Sequence, residues 1–424
     1  MFQRDNNNKR CYCLIFVLAM ITTRLYSQTG QEIDLLKSEV ETDLTGNILP
    51  FWTERTTDPE GGFYGSVTVD GRPNADSDKG SILNARIVWT FSRAFRQYGF
   101  ESYRQTADRA AGYFIDHFID PKFGGVVWSL DAEGNVRDYT KQTYATSFGI
   151  YGLAEHFRAT GDRRSLDAAI GLFRTLEEHV HDGKCQGYFE TFGRDWTGSQ
   201  SSGVDGKPGA TKTMNTHIHV MEAFTTLYQV WPDPIIRERL SELLDILQTR
   251  LYDPDTKHLI LFCNDEWEPI GRVDSYGHDI ETSWLLCEAA EALGDEALLA
   301  RIRRQSVEMV DAALSEGMTP EGLMQYEKTD AGMSSQKSWW PQCETVIGCI
   351  NAWQITGKRR YFDAAVKTWN YIKEHFIDSR NGDWFKYLDG EGRPTRDDKA
   401  NMWSCPYHNS RVAFELMSRL VPET

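Results

Sequence analysis

After residue 30, apolar positions recur at helical rather than alternating intervals, in long stretches that come in pairs. The run Tyr361-Phe362-Asp363-Ala364-Ala365-Val366 is typical. Between the stretches lie short aromatic segments, most of them carrying Gly: Gly61-Gly62-Phe63-Tyr64, Gly124-Gly125-Val126-Val127-Trp128, Gly187-Tyr188-Phe189, His258-Leu259-Ile260-Leu261-Phe262, Gly322-Leu323-Met324-Gln325-Tyr326 and Gly382-Asp383-Trp384-Phe385. They recur every 60–71 residues or so. The leaders Tyr98-Gly99, Thr160-Gly161-Asp162, Leu293-Gly294-Asp295 and Thr356-Gly357-Lys358 each open a helical run. Asp70-Gly71, Glu133-Gly134 and Glu391-Gly392 read as turns closing small hairpins. One helix pair cannot bury its apolar stripe alone, so six pairs must stack. The pattern predicts an all-α fold, an (α/α)6 barrel of six helix-pair repeats with short β-hairpins in the loops. An open solenoid is the alternative, but it needs polar end units and none stands out. Residues 194–213, rich in Gly, Ser, Thr and Asp, interrupt the repeat as an insertion. It either covers the mouth of the ring or runs over the surface.

The first 27 residues differ from the rest. Arg4, Lys9 and Arg10 precede an apolar run from Cys11 to Thr23, too short to span a bilayer comfortably, and Ser27 is a small residue at a fitting cleavage point. Residues 1–27 read as a secretory signal, with an uncleaved anchor as the alternative because Leu25 fits the cleavage pattern poorly. Residues 28–424 are expected to form a single catalytic domain in a periplasmic or secreted protein, or a cytoplasmic one if the leader does not function. The other six cysteines, Cys185, Cys263, Cys287, Cys343, Cys349 and Cys405, form no C-x-x-C pair. Buried thiols fit better than a zinc ribbon or a dense disulfide framework.

Of 424 residues, 40% are hydrophobic and 25% charged, which excludes wholesale disorder and a polytopic membrane protein. The net charge of -16 repels phosphate backbones, so no nucleic-acid partner is expected. Aromatic residues are 12% of the chain, and flat rings suit sugars as well as cores.

Four of the ten histidines lie in polar–aromatic clusters that open apolar helical runs: Met214-Asn215-Thr216-His217-Ile218-His219, Tyr276-Gly277-His278-Asp279-Ile280-Glu281 and Cys405-Pro406-Tyr407-His408-Asn409-Ser410-Arg411. Equivalent places in three repeats put them at one end of a ring. His219 and Glu222, His278 and Glu281, and His408 and Arg411 are each three residues apart, on one helix face. His117, His156, His179, His181, His258 and His375 sit among ordinary helix or turn residues and read as structural. Trp339-Trp340-Pro341-Gln342-Cys343-Glu344 joins a Trp pair to a carboxylate, and Asn84-Ala85-Arg86 puts a guanidinium on an inner helix. There is no H-E-x-x-H, G-x-G-x-x-G, P-loop or G-x-S-x-G, so no metal, nucleotide cofactor or serine elbow is expected.

In combination, Asn84-Ala85-Arg86, Met214-Asn215-Thr216-His217-Ile218-His219, Gly277-His278-Asp279-Ile280-Glu281, Trp339-Trp340-Pro341-Gln342 and Pro406-Tyr407-His408-Asn409 resemble the cellobiose 2-epimerases of the N-acylglucosamine 2-epimerase superfamily, from about residue 34 to 420. The resemblance implies an (α/α)6 barrel, no cofactor, and inversion of carbon 2 of the reducing-end glucose in β-1,4-linked disaccharides. It implies that His278 and His408 are the acid/base pair and that His219 and Arg86 assist. It places Tyr144, Asn215, Glu281, Trp340 and Trp403 at sugar-contacting positions. Glu222, Trp339 and Glu344, from the clusters above, join the expected substrate-binding set. Epimerisation beside a carbonyl moves a proton off one face and onto the other, which imidazoles do near neutral pH. On this reading Glu281 holds His278, Arg86 stabilises the developing oxyanion, and Trp340 and Trp403 stack on the two sugar rings. The expected partner is a small-molecule disaccharide, the chain a monomer or weak homodimer, without stable membrane association once residues 1–27 are removed. The competing readings are another sugar isomerase of the superfamily, an inverting glycoside hydrolase using Glu281 and Glu344, and a non-catalytic glycan-binding module.

Overall fold

The computed structural model describes residues 30–198, 204 and 206–420, so the leader expected over residues 1–27 lies outside the described residues. Helices alternate between an outer and an inner layer. Outer α1 (30–43) continues through a π turn, Leu44–Ile48, into Leu49–Glu54. Inner α2 (Ser81–Tyr98) and outer α3 (Glu101–Tyr113) follow, then inner α4 (Thr143–Thr160) and outer α5 (Arg163–His179). Next come inner α6 (Met214–Val230), outer α7 (Pro234–Thr249), inner α8 (Tyr276–Leu293) and outer α9 (Glu296–Gly317). Inner α10 (Trp340–Thr356), outer α11 (Arg359–His375) and inner α12 (Tyr407–Arg419) complete the chain. Each inner helix packs on the next and α12 packs back on α2, which closes the ring. The open solenoid is thereby excluded. Outside, Glu39 of α1 accepts from the Trp369 indole at 2.9 Å and pairs with Lys373 at 2.7 Å, tying the first outer helix to the last.

The two layers differ in sequence because they differ in environment. Outer α5 buries one stripe, Ser165, Leu166, Ala169, Leu172, Phe173 and Leu176, the spacing of a half-buried helix. Inner α10 is buried at every position from Pro341 to Ala352, and its pattern carries little amphipathic signal. Close approach needs glycine at two inner contacts. A Cβ on Gly152 would lie 2.6 Å from the Ala85 carbonyl oxygen, and one on Gly348 would lie 2.5 Å from Ile280 Cγ2. The leaders are helix boundaries: Gly99, Gly161, Gly294 and Gly357 end inner helices in the left-handed conformation, with φ of 67–76°. Asp162 and Asp295 then cap the outer helices through their carboxylates.

All six aromatic segments make one and the same bridge, back to the end of the preceding outer helix: Thr57 with Phe63, Ile119 with Val126, His181 with Tyr188, Tyr252 with Leu259, Met318 with Met324, and Ile377 with Trp384. The Glu133-Gly134 turn closes a hairpin of Ser129–Leu130 on Val136–Asp138, and Val67–Pro73 and Leu388–Pro394 bridge across the other two turns. A short strand before each of the first five inner helices pairs antiparallel with the hairpin of the following repeat, as Lys79–Gly80 does with Ser129–Leu130. These strands fasten neighbouring repeats at the end of the ring where the inner helices begin.

A feature not visible in the sequence recurs beneath them. Lys79, Lys141, Lys212 and Lys399 are buried, each on a turn aspartate: Asp58 at 2.6 Å, Asp120 at 3.3 Å, Asp182 at 2.7 Å and Asp378 at 2.8 Å. Removing the lysine from such a pair leaves an uncompensated buried charge. The six described cysteines are unbonded, and five are buried. Among the described residues no helix is long and apolar enough to cross a membrane. Val204, from the middle of the 194–213 insertion, lines the cavity at the mouth, so the insertion reaches over the funnel there.

Candidate active site

The N-terminal ends of all six inner helices meet around a cavity of about 420 Å³. Arg86 comes from α2, Tyr144 from α4, Asn215 and His219 from α6, His278 and Glu281 from α8, Trp340 from α10 and His408 from α12, while Trp339 and Trp403 enter from the loops just before α10 and α12. Ten expected site residues thus share one wall. Glu222 and Glu344 do not. Both are buried behind the wall, so they hold other side chains and do not meet a ligand directly. Tyr326, Glu327, Phe262 and Tyr387 also line the cavity, from hairpins whose sequence shows only ordinary aromatic and polar residues.

Each imidazole is held by its Nδ1, which leaves Nε2 for the cavity. His219 Nδ1 lies 2.9 Å from Glu222 Oε2, as the i, i+3 spacing suggested. His408 Nδ1 is 2.7 Å from Glu344 Oε1, a carboxylate on a neighbouring helix. His278 Nδ1 is 2.8 Å from the Ser275 hydroxyl in the preceding strand. The expectation that Glu281 holds His278 is therefore corrected. The shared helix face puts Glu281 near His278 in projection, but its carboxylate turns to the ring axis and takes Arg411. The Trp340 ring lies 4.7 Å from the His278 ring and 5.5 Å from the His408 ring, centroid to centroid, and bridges the two bases. Burial pushes both bases down, His278 to about 3 and His408 well below the usual range, where Arg411 and Arg86 add to the effect. Both are neutral at pH 7 and can accept a proton.

Arg411 is the hub behind the wall. Its guanidinium donates to Glu222 at 2.5 Å, to Glu344 at 2.6 Å and to Glu281. The Trp284 indole donates to the second oxygen of Glu344 at 3.0 Å, and the Tyr407 hydroxyl donates to Glu222. Ligand atoms of Glu281, Glu344 and His408 lie within 4.8 Å of one another, but Arg411 already supplies the cation among them. That spacing also counts against the inverting-hydrolase reading, which needs carboxylates about 6.5–9.5 Å apart across a bond.

One cation does not satisfy three acids. Burial and Glu344 push Glu281 up to about 7, against the pull of Arg411, whereas Arg411, His219 and Tyr407 hold Glu222 below its usual range in spite of burial. The unfolded chain releases the Glu281 proton near 4.5 and the folded chain near 7, so this group's stabilising contribution is complete below pH 4.5 and is lost as pH rises through 7. Gln keeps a neutral side chain throughout. Glu281→Gln is expected to gain on the parent by a few kcal/mol, as an order of magnitude, between pH 5 and pH 8. Urea unfolding at the two pH values measures this, and parallel curves for parent and variant would refute the assignment.

Arg86 has a different environment. It is buried, its guanidinium 4.2 Å from the Phe148 ring centroid and 4.8 Å from that of Tyr407, and it donates to the Tyr144 hydroxyl at 2.8 Å. It takes part in no ion pair among the described residues, so its charge faces the cavity uncompensated by a carboxylate. A buried unpaired cation costs stability and serves a developing oxyanion. Arg86→Met is expected to raise the melting temperature while turnover falls about 10²–10³-fold. Thermal melts and initial rates on one preparation check both halves, and an unchanged rate would remove Arg86 from the chemistry.

His217 does not reach the cavity. Its Nε2 accepts from the Tyr188 backbone N–H at 3.0 Å and its Nδ1 donates to the Thr213 carbonyl at 2.7 Å, so it fixes an aromatic segment to α6. Thr146, Asp279 and Gln342 accept the corresponding N–H at the same place in other repeats.

A family profile described as N-acylglucosamine 2-epimerase (GlcNAc 2-epimerase) matches residues 62–410. The cellobiose 2-epimerase of Bacteroides fragilis is 45% identical over 389 residues, which is 91% of this chain and 99% of that protein. The solved structure of cellobiose 2-epimerase from Bacillus thermoamylovorans superimposes with a TM-score of 0.88 at 34% identity, over 91% of this chain and 100% of that one. A D-mannose isomerase structure shares the fold, with a TM-score of 0.80 at 19% identity over 90% of this chain and 98% of that one. On the profile and the relatives together, the chain is an enzyme of the N-acylglucosamine 2-epimerase family.

Proposed function

We propose that the chain epimerises carbon 2 of the reducing-end glucose of cellobiose and related β-1,4-linked disaccharides, giving 4-O-β-D-glucosyl-D-mannose. The observation that carries this reading is the pair of neutral imidazoles, His278 and His408, both packed near the Trp340 ring, 4.7 Å and 5.5 Å from its centroid, in one cavity. The sugar ring opens to the aldehyde as the bond between carbon 1 and the ring oxygen breaks, with His219 giving a proton to the ring oxygen and taking the one released by the carbon 1 hydroxyl. One imidazole removes the carbon 2 proton and becomes imidazolium. The electron pair moves onto the carbonyl oxygen as a cis-enediolate, which the Arg86 charge stabilises. A proton delivered to the other face of carbon 2 gives the epimer. The second imidazole must hold that proton beforehand, and Glu344, raised by burial and 2.7 Å from His408 Nδ1, is a neighbouring store. Trp340 at the base and Trp403 at the rim, 39% exposed beside Trp128 and Tyr144, offer faces for the two sugar rings. The 45% identity to the Bacteroides fragilis cellobiose 2-epimerase supports a disaccharide over a monosaccharide or an N-acylglucosamine.

Proton NMR of cellobiose incubated with the full chain in deuterated water tests this. A new mannose-end anomeric signal with deuterium at carbon 2 is expected. Exchange with N-acetylglucosamine or mannose but not with cellobiose would move the substrate within the family. Free glucose without exchange would reject the epimerase mechanism.

A further inference from the structure

The fourth repeat departs from the first three at a buried position. Lys79, Lys141 and Lys212 open the strands that precede α2, α4 and α6, and their ammonium groups fill the turn below. In the fourth repeat that strand is Asp274–Ser275, so an acid replaces the cation. A second exchange accompanies it. The backbone N–H of Asp120 bonds to Gly125 and that of Asp182 to Gly187, and in the fourth repeat Asp253 makes the same bond to His258. An imidazole thus stands where the turns of the first three repeats have glycine. It is 2% exposed, and its Nε2 has no hydrogen-bond partner.

That nitrogen faces acids. His258 Nε2 lies 3.5 Å from Glu316 Oε1 at the end of α9, and ligand atoms of His258, Asp274 and Glu316 all lie within 4.8 Å of one another. Two ligands on a tetrahedral ion with bonds of about 2.1 Å sit roughly 3.4 Å apart. The other side of the ring is fixed: His258 Nδ1 is 2.7 Å from Asp279 Oδ2, while Asp279 Oδ1 accepts from the Leu259 N–H at 2.9 Å. A carboxylate behind a histidine that presents its other nitrogen is the arrangement that orients imidazole toward a metal. The competing cations are weakly held. Arg272 reaches Asp274 at 3.2 Å and Lys328 reaches Glu316 at 3.6 Å, and both side chains are about half or more exposed to water.

We propose that His258, Asp274 and Glu316 bind one divalent transition-metal ion of the zinc class at the foot of α8. One imidazole and two carboxylates suit such an ion, and a water would complete the tetrahedron. The ion takes no part in the epimerisation. It ties the strand carrying Asp274 and Ser275 to α9, and Ser275 holds His278. Under this proposal His258 is a metal ligand, where its sequence context alone suggested a structural residue.

The test uses the untagged full chain, stripped with EDTA and dialysed, then titrated with zinc chloride by calorimetry and melted with and without zinc. One equivalent is expected to bind and the melting temperature to rise by several degrees. Glu316→Gln, at a partly exposed position, and Asp274→Asn are each expected to weaken binding at least tenfold and to abolish the rise. An absence of binding, or zinc binding unchanged in Glu316→Gln, overturns the site. A melting temperature that follows pH through the histidine range but ignores zinc also overturns it, and makes a proton on His258 the occupant. Neither readout depends on the epimerase reaction.

Discussion

Alanine at His278 or at His408 is expected to cut epimerisation of cellobiose by about 10²–10⁴-fold while the melting temperature stays near the parent's. Both rings line an existing cavity and both are neutral, so neither truncation leaves a buried charge without its partner. Exchange with solvent separates the two roles. The imidazole that survives meets only the epimer whose carbon 2 proton points at it. In deuterated water one variant is therefore expected to label the glucose epimer without inverting it, and the other to label the mannose epimer. That reciprocal pattern assigns each base to its face. The acid limb of kcat/KM in the parent is expected below the ordinary histidine pKa of about 6.5, because burial holds both bases down. Parent-like epimerisation in either variant rejects the two-base scheme.

The ring and the site were not equally legible. The six aromatic segments announce the ring because each makes an identical local bridge, and local contacts leave a periodic trace. The histidine clusters announce the site because inner helices start at the mouth, so a residue's place near a helix start is its place in the cavity. The supporting network left no such trace. Glu222, Glu281, Glu344 and Arg411 come from α6, α8, α10 and α12, and a guanidinium shared across four helices has no spacing rule. The i, i+3 rule found the true partner of His219. It failed for His278, which Ser275 from the preceding strand holds, and for His408 it found Arg411, 3.4 Å from Nδ1, but not the shorter contact to Glu344 on the neighbouring helix. The buried lysines were hidden for another reason: lysine is ordinarily a surface residue, and only the repeated aspartate beneath each one explains its burial.

Arg411→Leu is expected to be the most destabilising single change in the network. The guanidinium touches three carboxylates in a fully buried cluster, and removing one member of a buried ion pair typically costs about 3–5 kcal/mol. The leucine fills part of the volume but leaves Glu222, Glu281 and Glu344 without their shared cation. Those acids then relax by taking up protons. The folded-state pKa values of Glu281 and Glu344 rise further above the unfolded values, and Glu222 loses the pull that held it below its own, so in each case stability is lost as pH increases. The deficit relative to the parent is therefore expected to be larger at pH 8 than at pH 5 in urea unfolding. Arg411→Lys is expected to fall between, since one ammonium cannot reach three carboxylates at once. The catalytic defect follows from the same loss: Glu344 orients His408 and Glu222 orients His219, so turnover is expected to fall even where the variant remains folded. A deficit independent of pH would mean that Arg411 acts through packing against Trp284 and Tyr407, and would remove the electrostatic account of the network.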